Sequence, residues 1–330
     1  MNQDKGQIHL YCCGGMGVNL GTQLETYRGA VEDGFAKIEI TYVDTSKSNT
    51  HRRTQIQQEH CYLMKDLDGS GGKRNENDKQ ISNEIRAVFQ RFKPLDLNVV
   101  IHSAAGGSGS VIGPLLTGEL LANQRPTIVL CVGSTDTKLY TENTLNTFKT
   151  YEAIAKLKSA PVVMAYVQNS EKTPRDEADA ILKSYVTSLA ALFSRENGEL
   201  DSMDLFNWLR YDRVTSFPVG LVALSLLEPN SDLGDLGNIT SVATLATRGS
   251  KTTLPTIPEY QCTGYIPASM ADPVIAKSPM HFVTSDGIFG EVGKALQRIL
   301  TDFKTSQDAR IANEGLLKPQ DQPSPNGLVL

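Results

Sequence analysis

Three glycine clusters carry the most chemical information in the chain: CCGGMGVN at 12–19, LDGSGGKR at 67–74 and SAAGGSGSVIG at 103–113. Glycine loses more conformational freedom on ordering than any other residue. Glycines and serines repeated just ahead of a helical pattern therefore point to a ligand that approaches main-chain amides. Such amides, backed by the positive end of a helix dipole, form an anion site; a plain polar strand-to-helix loop is the alternative for any one cluster alone. Gly15-x-Gly17 would open a dinucleotide fingerprint, but the third glycine, Gly21, comes one residue late. LDGSGGKR fails as a Walker A loop, because Leu67 stands where the first glycine belongs and Arg74 where Ser or Thr must follow the lysine.

Other polar residues have two readings each on local grounds. Asp44 in VDTS ends a strand, where an acid is commonly a turn former. Lys73 and Arg74 read as solvated charge, and Glu142 and Asn143 in LYTENTLNT as a helix N-terminus. Arg175 and Asp179, four apart, share a helix face and would form a surface ion pair. Asp201 and Asp204, three apart in GELDSMD, have the spacing of a turn and a helix cap. No acid in the first half is obviously placed to polarise an attacking water.

The elements that must hold these residues alternate. Strand-like runs QIHLYC, KIEITYVDT, LNVVIHSA, TIVLCVGS and PVVMAYVQN are separated by helical segments, one from about Val18, others at EIRAVFQRF, after the glycine cluster at 103–113, and at TLNTFKTYEAIAKLK. That rhythm predicts βαβ units and a parallel sheet covered by helices, with ligands beyond the C-terminal strand ends. A long helix follows, with Thr173 as N-cap, Pro174 at its first position and an end near Glu196; about 23 residues span roughly 35 Å at ~1.5 Å per residue. After Asn197 the strands FPVGLVALSLL, SVATLATR and MHFVTS and a helix near IFGEVGKALQRILTDF predict a smaller α+β unit. The segment LKPQDQPSPNGLVL is proline-rich and reads as disordered alone, although Leu328–Leu330 are apolar.

The 330 residues, 40% hydrophobic and 21% charged, are those of a soluble globular protein, and the net charge of −5 argues against bulk attraction to nucleic acid or membrane. The N-terminus lacks the layout of a secretory signal, and no apolar run approaches the roughly 18 residues of a membrane span. Five cysteines without CxxC spacing indicate a reduced, cytoplasmic chain with no metal cage.

Three glycine loops in one α/β half, without a Walker A motif, resemble the tubulin/FtsZ superfamily, in which several loops at the strand ends enclose GTP. The loop after the fourth strand reads AAGGSGSVIGP, with Ala at the first consensus glycine. The resemblance is closer to phage tubulins of the PhuZ type, through Gly106–Leu120, Thr150–Ala155 and Asn197–Arg210, and runs from about residue 8 to 300. It implies a tubulin-like fold: an α/β GTP-binding domain with a parallel sheet over 1–171, a central helix over 172–197, an α+β C-terminal activation domain over 198–304 and a tail over 305–330.

By this resemblance Gly14, Gly15, Met16, Gly17 and Asn19 form the first nucleotide loop, and Asp44 lies near magnesium-bound phosphates, directly or through water. Gly71 and Gly72 face the γ-phosphate, and Gly106, Gly107, Ser108, Gly109 and Ser110 the α- and β-phosphates. Glu142 and Asn143 contact the ribose. Asn169 reads the guanine, Arg175 stacks on it and Asp179 accepts from its N1–H and N2–H₂. Asp201 and Asp204 are the catalytic acids, entering the nucleotide pocket of the next subunit. The resemblance thus implies a filament-forming GTPase of a phage with GTP/GDP and Mg2+ as ligands. It would self-associate head to tail, with its tail on a neighbouring subunit, and act in the cytoplasm of the infected bacterium to position phage DNA or its replication compartment. Two alternatives are an NAD(P)-dependent oxidoreductase and a GTP-binding scaffold without turnover.

Overall fold

The computed structural model describes residues 5–27, 35–50, 58–228, 231, 236–252, 254, 257–266 and 279–312. The apolar tip Leu328–Leu330 lies outside them. The first half runs β1 (Gln7–Cys13), α1 (Gly14–Tyr27), β2 (Lys37–Asp44), α2 (Lys47–Thr50), β3 (Cys61–Leu63), α3 (Asp78–Arg91), β4 (Leu97–Ser103), α4 (Gly109–Ala122), β5 (Thr127–Ser134), α5 (Lys138–Lys158) and β6 (Val162–Asn169). Then follow α6 (Arg175–Leu192), α7 (Ser202–Leu209), β7 (Leu221–Leu227), β8 (Asn238–Thr247), β9 (Gln261–Ile266), β10 (Met280–Asp286) and α8 (Ile288–Ala312).

Among the described residues the strands form one sheet in the order β3-β2-β1-β4-β5-β6-β7-β10-β8-β9. The pairs from β3 to β7 are parallel, and β10 runs antiparallel to both β7 and β8. Strand alternation sorts β1 between two cores: Ile8, Leu10 and Cys12 pack with α1 and α6, whereas Tyr11 and Cys13 pack with α3 and α4. A strand covered on both faces is mostly apolar, and β1, β4, β5 and β6 are, with the buried polar His9, Asn98 and His102 each hydrogen-bonded. From β1 the chain proceeds outward to β2 and β3, then returns to β4 on the other side of β1. That reversal leaves a crevice beyond the carboxyl ends of β1 and β4.

The structure corrects several boundaries. α1 begins at Gly14, not near Val18, so the first glycine cluster is a helical turn. Pro174 is the N-cap of α6, and Thr173 is held in a turn, its N–H on Ser170 Oγ and its carbonyl accepting from Ser170 N–H. α6 has 18 residues, or about 27 Å, and stops at Leu192, short of Glu196. α8 continues through residues 305–312, which the sequence assigned to a tail.

Where β4 meets the third glycine cluster, His102 is fully buried. Its Nδ1 lies 3.1 Å from Ser103 O and its Nε2 2.7 Å from Tyr151 Oη. A carbonyl only accepts, so Nδ1 carries the proton and Tyr151 donates to Nε2. Burial, more than any neighbour, holds the His102 pKa down to about 4 from 6.5. The unfolded chain therefore takes up a proton as pH falls below about 6.5 while the folded chain does not, and stability is lost through that window. Burial depresses His9 and His281 with the same sign. We expect His102 alone to remove about 2 kcal/mol of stability between pH 7 and pH 5. Urea midpoints at the two pH values check this, and an unchanged midpoint refutes it.

Candidate functional site

The crevice holds a cleft of about 270 Å³ bordered by Gly14 to Met16, Asp44, Asn49, the loop Gly69–Gly72 and the loop Gly106–Gly109. Two helices, α1 and α4, begin at its wall. Their first turns touch: Gly14 has φ +69, and a Cβ there would lie 2.8 Å from Gly109 Cα and N. Only bare backbone lets the two helix N-termini approach so closely. Among the described residues, the amides of Gly71, Gly72, Gly107, Ser108 and Gly109 donate to no protein acceptor. Unpaired amides at converging helix N-termini are an anion site of unusual strength. Gly17 is buried against Cys12 and Ile101 O and serves packing.

A chain of hydroxyls ties the loops together. Thr45 Oγ1 and Ser108 Oγ are 2.6 Å apart, and Ser108 Oγ and Ser70 Oγ 3.3 Å. Asp44 is the carboxylate on the cleft wall. Its Oδ1 accepts from the amides of Thr45 and Ser46 at 2.7 and 3.2 Å, and its Oδ2 accepts from Asn49 Nδ2 at 2.8 Å. Burial raises its pKa despite these three donors. Both oxygens are engaged in shaping the turn, and no group of three or more His, Cys, Asp or Glu able to hold a metal ion occurs among the described residues. Such a group is what a metal held by protein ligands alone requires; an Mg2+ ion carried by phosphates and water needs no more than one carboxylate, so the role expected of Asp44 stands as a proposal.

Asn143 ties the loops together as well. It is buried, and its Nδ2 donates to Gly72 O at 2.7 Å and Ala105 O at 2.9 Å. Its amide nitrogen brackets two glycine loops. Glu142, half-buried in α5, lies 3.9 Å from Lys138. Arg74 is not solvated charge: its guanidinium turns inward onto α4 and α5. Ser110 Oγ is shared between Gly106 O at 2.6 Å and Gly107 O at 2.8 Å.

Beside the cleft, α1 meets the start of α6. Asp179 is 4% exposed, and its Oδ2 accepts from Asn19 Nδ2 and Gln23 Nε2, each at 3.3 Å. The structure thus joins two expected site residues, Asn19 and Asp179. Arg175, one turn before Asp179, is exposed and makes no ion pair with it among the described residues, and Asn169 is half-buried at the end of β6.

Asp201 and Asp204 are nowhere near this cleft. They cap α7: Asp201 Oδ1 accepts from the amides of Met203 and Asp204 at 2.8 and 2.9 Å, and Asp204 Oδ2 accepts from Asp201 N at 3.1 Å. The reciprocal cap aims the loop outward, leaving Met203 59% exposed. Asp201 borders a separate groove of about 830 Å³ that reaches Gln7, Pro94 and Arg125. Gln7 begins β1 and Cys13, on the glycine cleft, ends it, so groove and cleft are separated by roughly 20 Å of strand.

Ser46, Asn49 and Ser70 also line the cleft, buried Thr45 holds Ser108, and Gln23 lies beside Asp179, none of them expected from the sequence. The available signal was position: Thr45 and Ser46 follow the turn-forming Asp44, and Ser70 lies inside the glycine run.

No family model matches the chain. It is 30% identical over 230 residues to a phage tubulin-like protein of Pseudomonas phage phiKZ, covering 67% of this chain and 68% of that protein. A phage tubulin-like protein of Pseudomonas phage PhiPA3 is 27% identical over 209 residues, 63% of this chain and 62% of that protein. The protofilament of TubZ from bacteriophage PhiKZ superposes with a TM-score of 0.84 at 25% identity, covering 98% of this chain and 99% of that one. The phage tubulin PhuZ with GDP does so with a TM-score of 0.82 at 25% identity and the same coverage. A parallel sheet reversed at β1, three glycine loops on one cleft, and this likeness in sequence and fold place the chain in one family: it belongs to the phage tubulin-like proteins of the tubulin/FtsZ superfamily.

Proposed function

We propose that the cleft binds GTP and that a second subunit, docking head to tail, brings Asp201 and Asp204 to it and switches on hydrolysis. The observation that carries the reading is the division of labour between opposite ends of β1. The cleft offers unpaired amides to phosphates but no acid beyond the committed Asp44, while the acidic loop points outward at the other end. A contact joining one end to the other is heterologous, and it repeats into a filament when the rotation does not close. Phosphoryl transfer is mostly positioning plus electrostatics: backbone donors on one subunit would hold the phosphates, Mg2+ would neutralise their charge, and a carboxylate from the next subunit would orient the water.

The amides of α4 and its loop would hold the α- and β-phosphates, and Gly71 and Gly72 the γ-phosphate. Asp179 would accept from the guanine edge, with Asn19 and Gln23 fixing its carboxylate; Asn169 offers the base both a donor and an acceptor. The relative solved as a protofilament and the one solved with GDP support filament formation and guanine nucleotide binding. The corresponding place of action is the cytoplasm of the infected bacterium, and the corresponding task is positioning phage DNA or its replication compartment.

Light scattering and phosphate release with GTP, GDP and a non-hydrolysable GTP analogue test the reading. GTP and the analogue should both drive assembly, and only GTP should release phosphate. Assembly without nucleotide, or turnover independent of protein concentration, refutes it. A scaffold without turnover is the second reading, favoured by the engagement of both acids in the α7 cap. The same assay excludes it if phosphate is released. Leu328–Leu330 would dock on the adjacent subunit, so removing residues 319–330 should lower assembly and spare nucleotide binding; unchanged assembly refutes the docking.

A further inference from the structure

Arg74 comes two residues after the Gly69–Gly72 loop, with Lys73 between. Its Nη1 donates to Ser110 O at 2.6 Å and to Thr147 Oγ1, and its Nη2 donates to Thr150 Oγ1 at 3.1 Å. No carboxylate lies within ion-pair distance of it among the described residues. Taking a guanidinium out of water without a counter-ion is costly, so its acceptors must be ones that nothing else serves. Ser110 O is such an acceptor. Pro114, four residues further along α4, has no N–H, so the helix ladder leaves the Ser110 carbonyl without its donor. Arg74 supplies it.

The residues it reaches also shape the other glycine loop. Ser110 Oγ lies on the carbonyls of Gly106 and Gly107, and Thr147 Oγ1 lies 3.0 Å from Ala104 O. Asn143 holds Gly72 O to Ala105 O. Arg74 is thus two residues along the chain from one loop and a hydrogen-bonded neighbour of the other. We propose that Arg74 is the positioning residue that fixes the Gly69–Gly72 loop against the first turn of α4, and thereby sets the preference of the cleft for a nucleoside triphosphate over a diphosphate. This rests on the reading that the cleft binds GTP with Gly71 and Gly72 at the terminal phosphate. The Ser110 bonds to Gly106 and Gly107 do not pass through Arg74, so the amides that hold the first two phosphates stay in place without it. Only the amides for the third phosphate lose their aim. A planar fork with fixed donor directions does this; a lysine ammonium, a point charge on a flexible stem, does not.

The test measures the dissociation constants of GDP and of a non-hydrolysable GTP analogue by fluorescence titration, below the assembly concentration, for the wild type, Arg74→Lys and Arg74→Gln. Thermal melts report that each variant is folded. Both variants should keep GDP affinity within about threefold and weaken the analogue about tenfold, the effect of one or two lost charge-assisted hydrogen bonds. Equal weakening of both nucleotides, or an unchanged ratio, overturns the proposal, as does a Lys variant with the wild-type ratio. Thr150→Val removes the Nη2 acceptor alone and should shift the ratio about two- to threefold in the same direction. It decides the matter if the Arg74 variants do not fold, an unchanged ratio again overturning the proposal. A wild-type chain that binds neither nucleotide defeats the GTP reading itself, and this proposal with it.

Discussion

Asp204→Asn should abolish GTP turnover while leaving GTP binding intact, and the filaments formed should be over-stable. The expected fall in kcat is about 10²- to 10³-fold, the size seen when a preorganised group that acts on the transition state is removed. Asparagine is the informative substitution because of the α7 cap. Asp204 Oδ2 accepts from Asp201 N at 3.1 Å, and an amide oxygen can do the same, so the cap survives while the negative charge is lost. Asp204→Ala should show the same kinetic loss and in addition cost about 1 kcal/mol of stability through the lost cap bond. Of the two acids, Asp204 is the stronger candidate: Asp201 Oδ1 already serves two amides of the turn. Binding is read with a fluorescent nucleotide, turnover by phosphate release, and filament lifetime by sedimentation after dilution. Normal phosphate release from Asp204→Asn would falsify hydrolysis in trans, and weakened GTP binding would place Asp204 in a structural role.

The parallel sheet and the glycine cleft were legible in the sequence because each rests on a local pattern. β1, β4, β5 and β6 are short runs dominated by apolar residues, and the glycines stand directly after β1 and before α4. What escaped depends on contacts between distant segments. α1 starts at Gly14 although glycine is a poor helix former, because α1 meets α4 where a Cβ would collide with Gly109. β9 contains Gly264 and reads weakly as a strand, yet a Cβ at 264 would lie 2.9 Å from Leu200 Cδ2 and 3.0 Å from Asn197 Cβ. The segment after α6 leaves no room there for a side chain. Arg74 was hidden for a different reason: its partner is a carbonyl freed by a proline forty residues away in sequence. Charge alone said solvent; only the fold shows which acceptor needed a donor. Asp201 and Asp204 were legible in both roles at once, since the spacing that makes a cap also fixes two carboxylates on an exposed loop.

Gly107→Ala should cost the cleft its nucleotide, by at least about 100-fold in GTP affinity, without unfolding the protein. A Cβ at 107 would lie 1.8 Å from Ser70 Oγ, 2.9 Å from Ser70 Cβ and 3.1 Å from the carbonyl carbon of Gly72. Rotating Ser70 relieves the first contact only, so the two loops must separate. Separation breaks the Ser70–Ser108 link and swings the Gly71–Gly72 amides away from those of Gly107 to Gly109. Each misaimed amide forfeits a charge-assisted hydrogen bond of about 1.5 kcal/mol or more, and two such losses give the stated factor. The loops are surface structure at the strand ends, and the cores beneath them, around Tyr11, Val100 and Leu116, do not touch Gly107's missing side chain. The contrast is Gly17→Ala, whose Cβ would lie 2.5 Å from Ile101 O inside the β1–β4 layer, so that fold stability falls first. Calorimetric titration with GDP and a non-hydrolysable GTP analogue, beside a thermal melt, separates the two outcomes. Wild-type affinity in a folded Gly107→Ala chain would mean that the nucleotide does not lie between these loops.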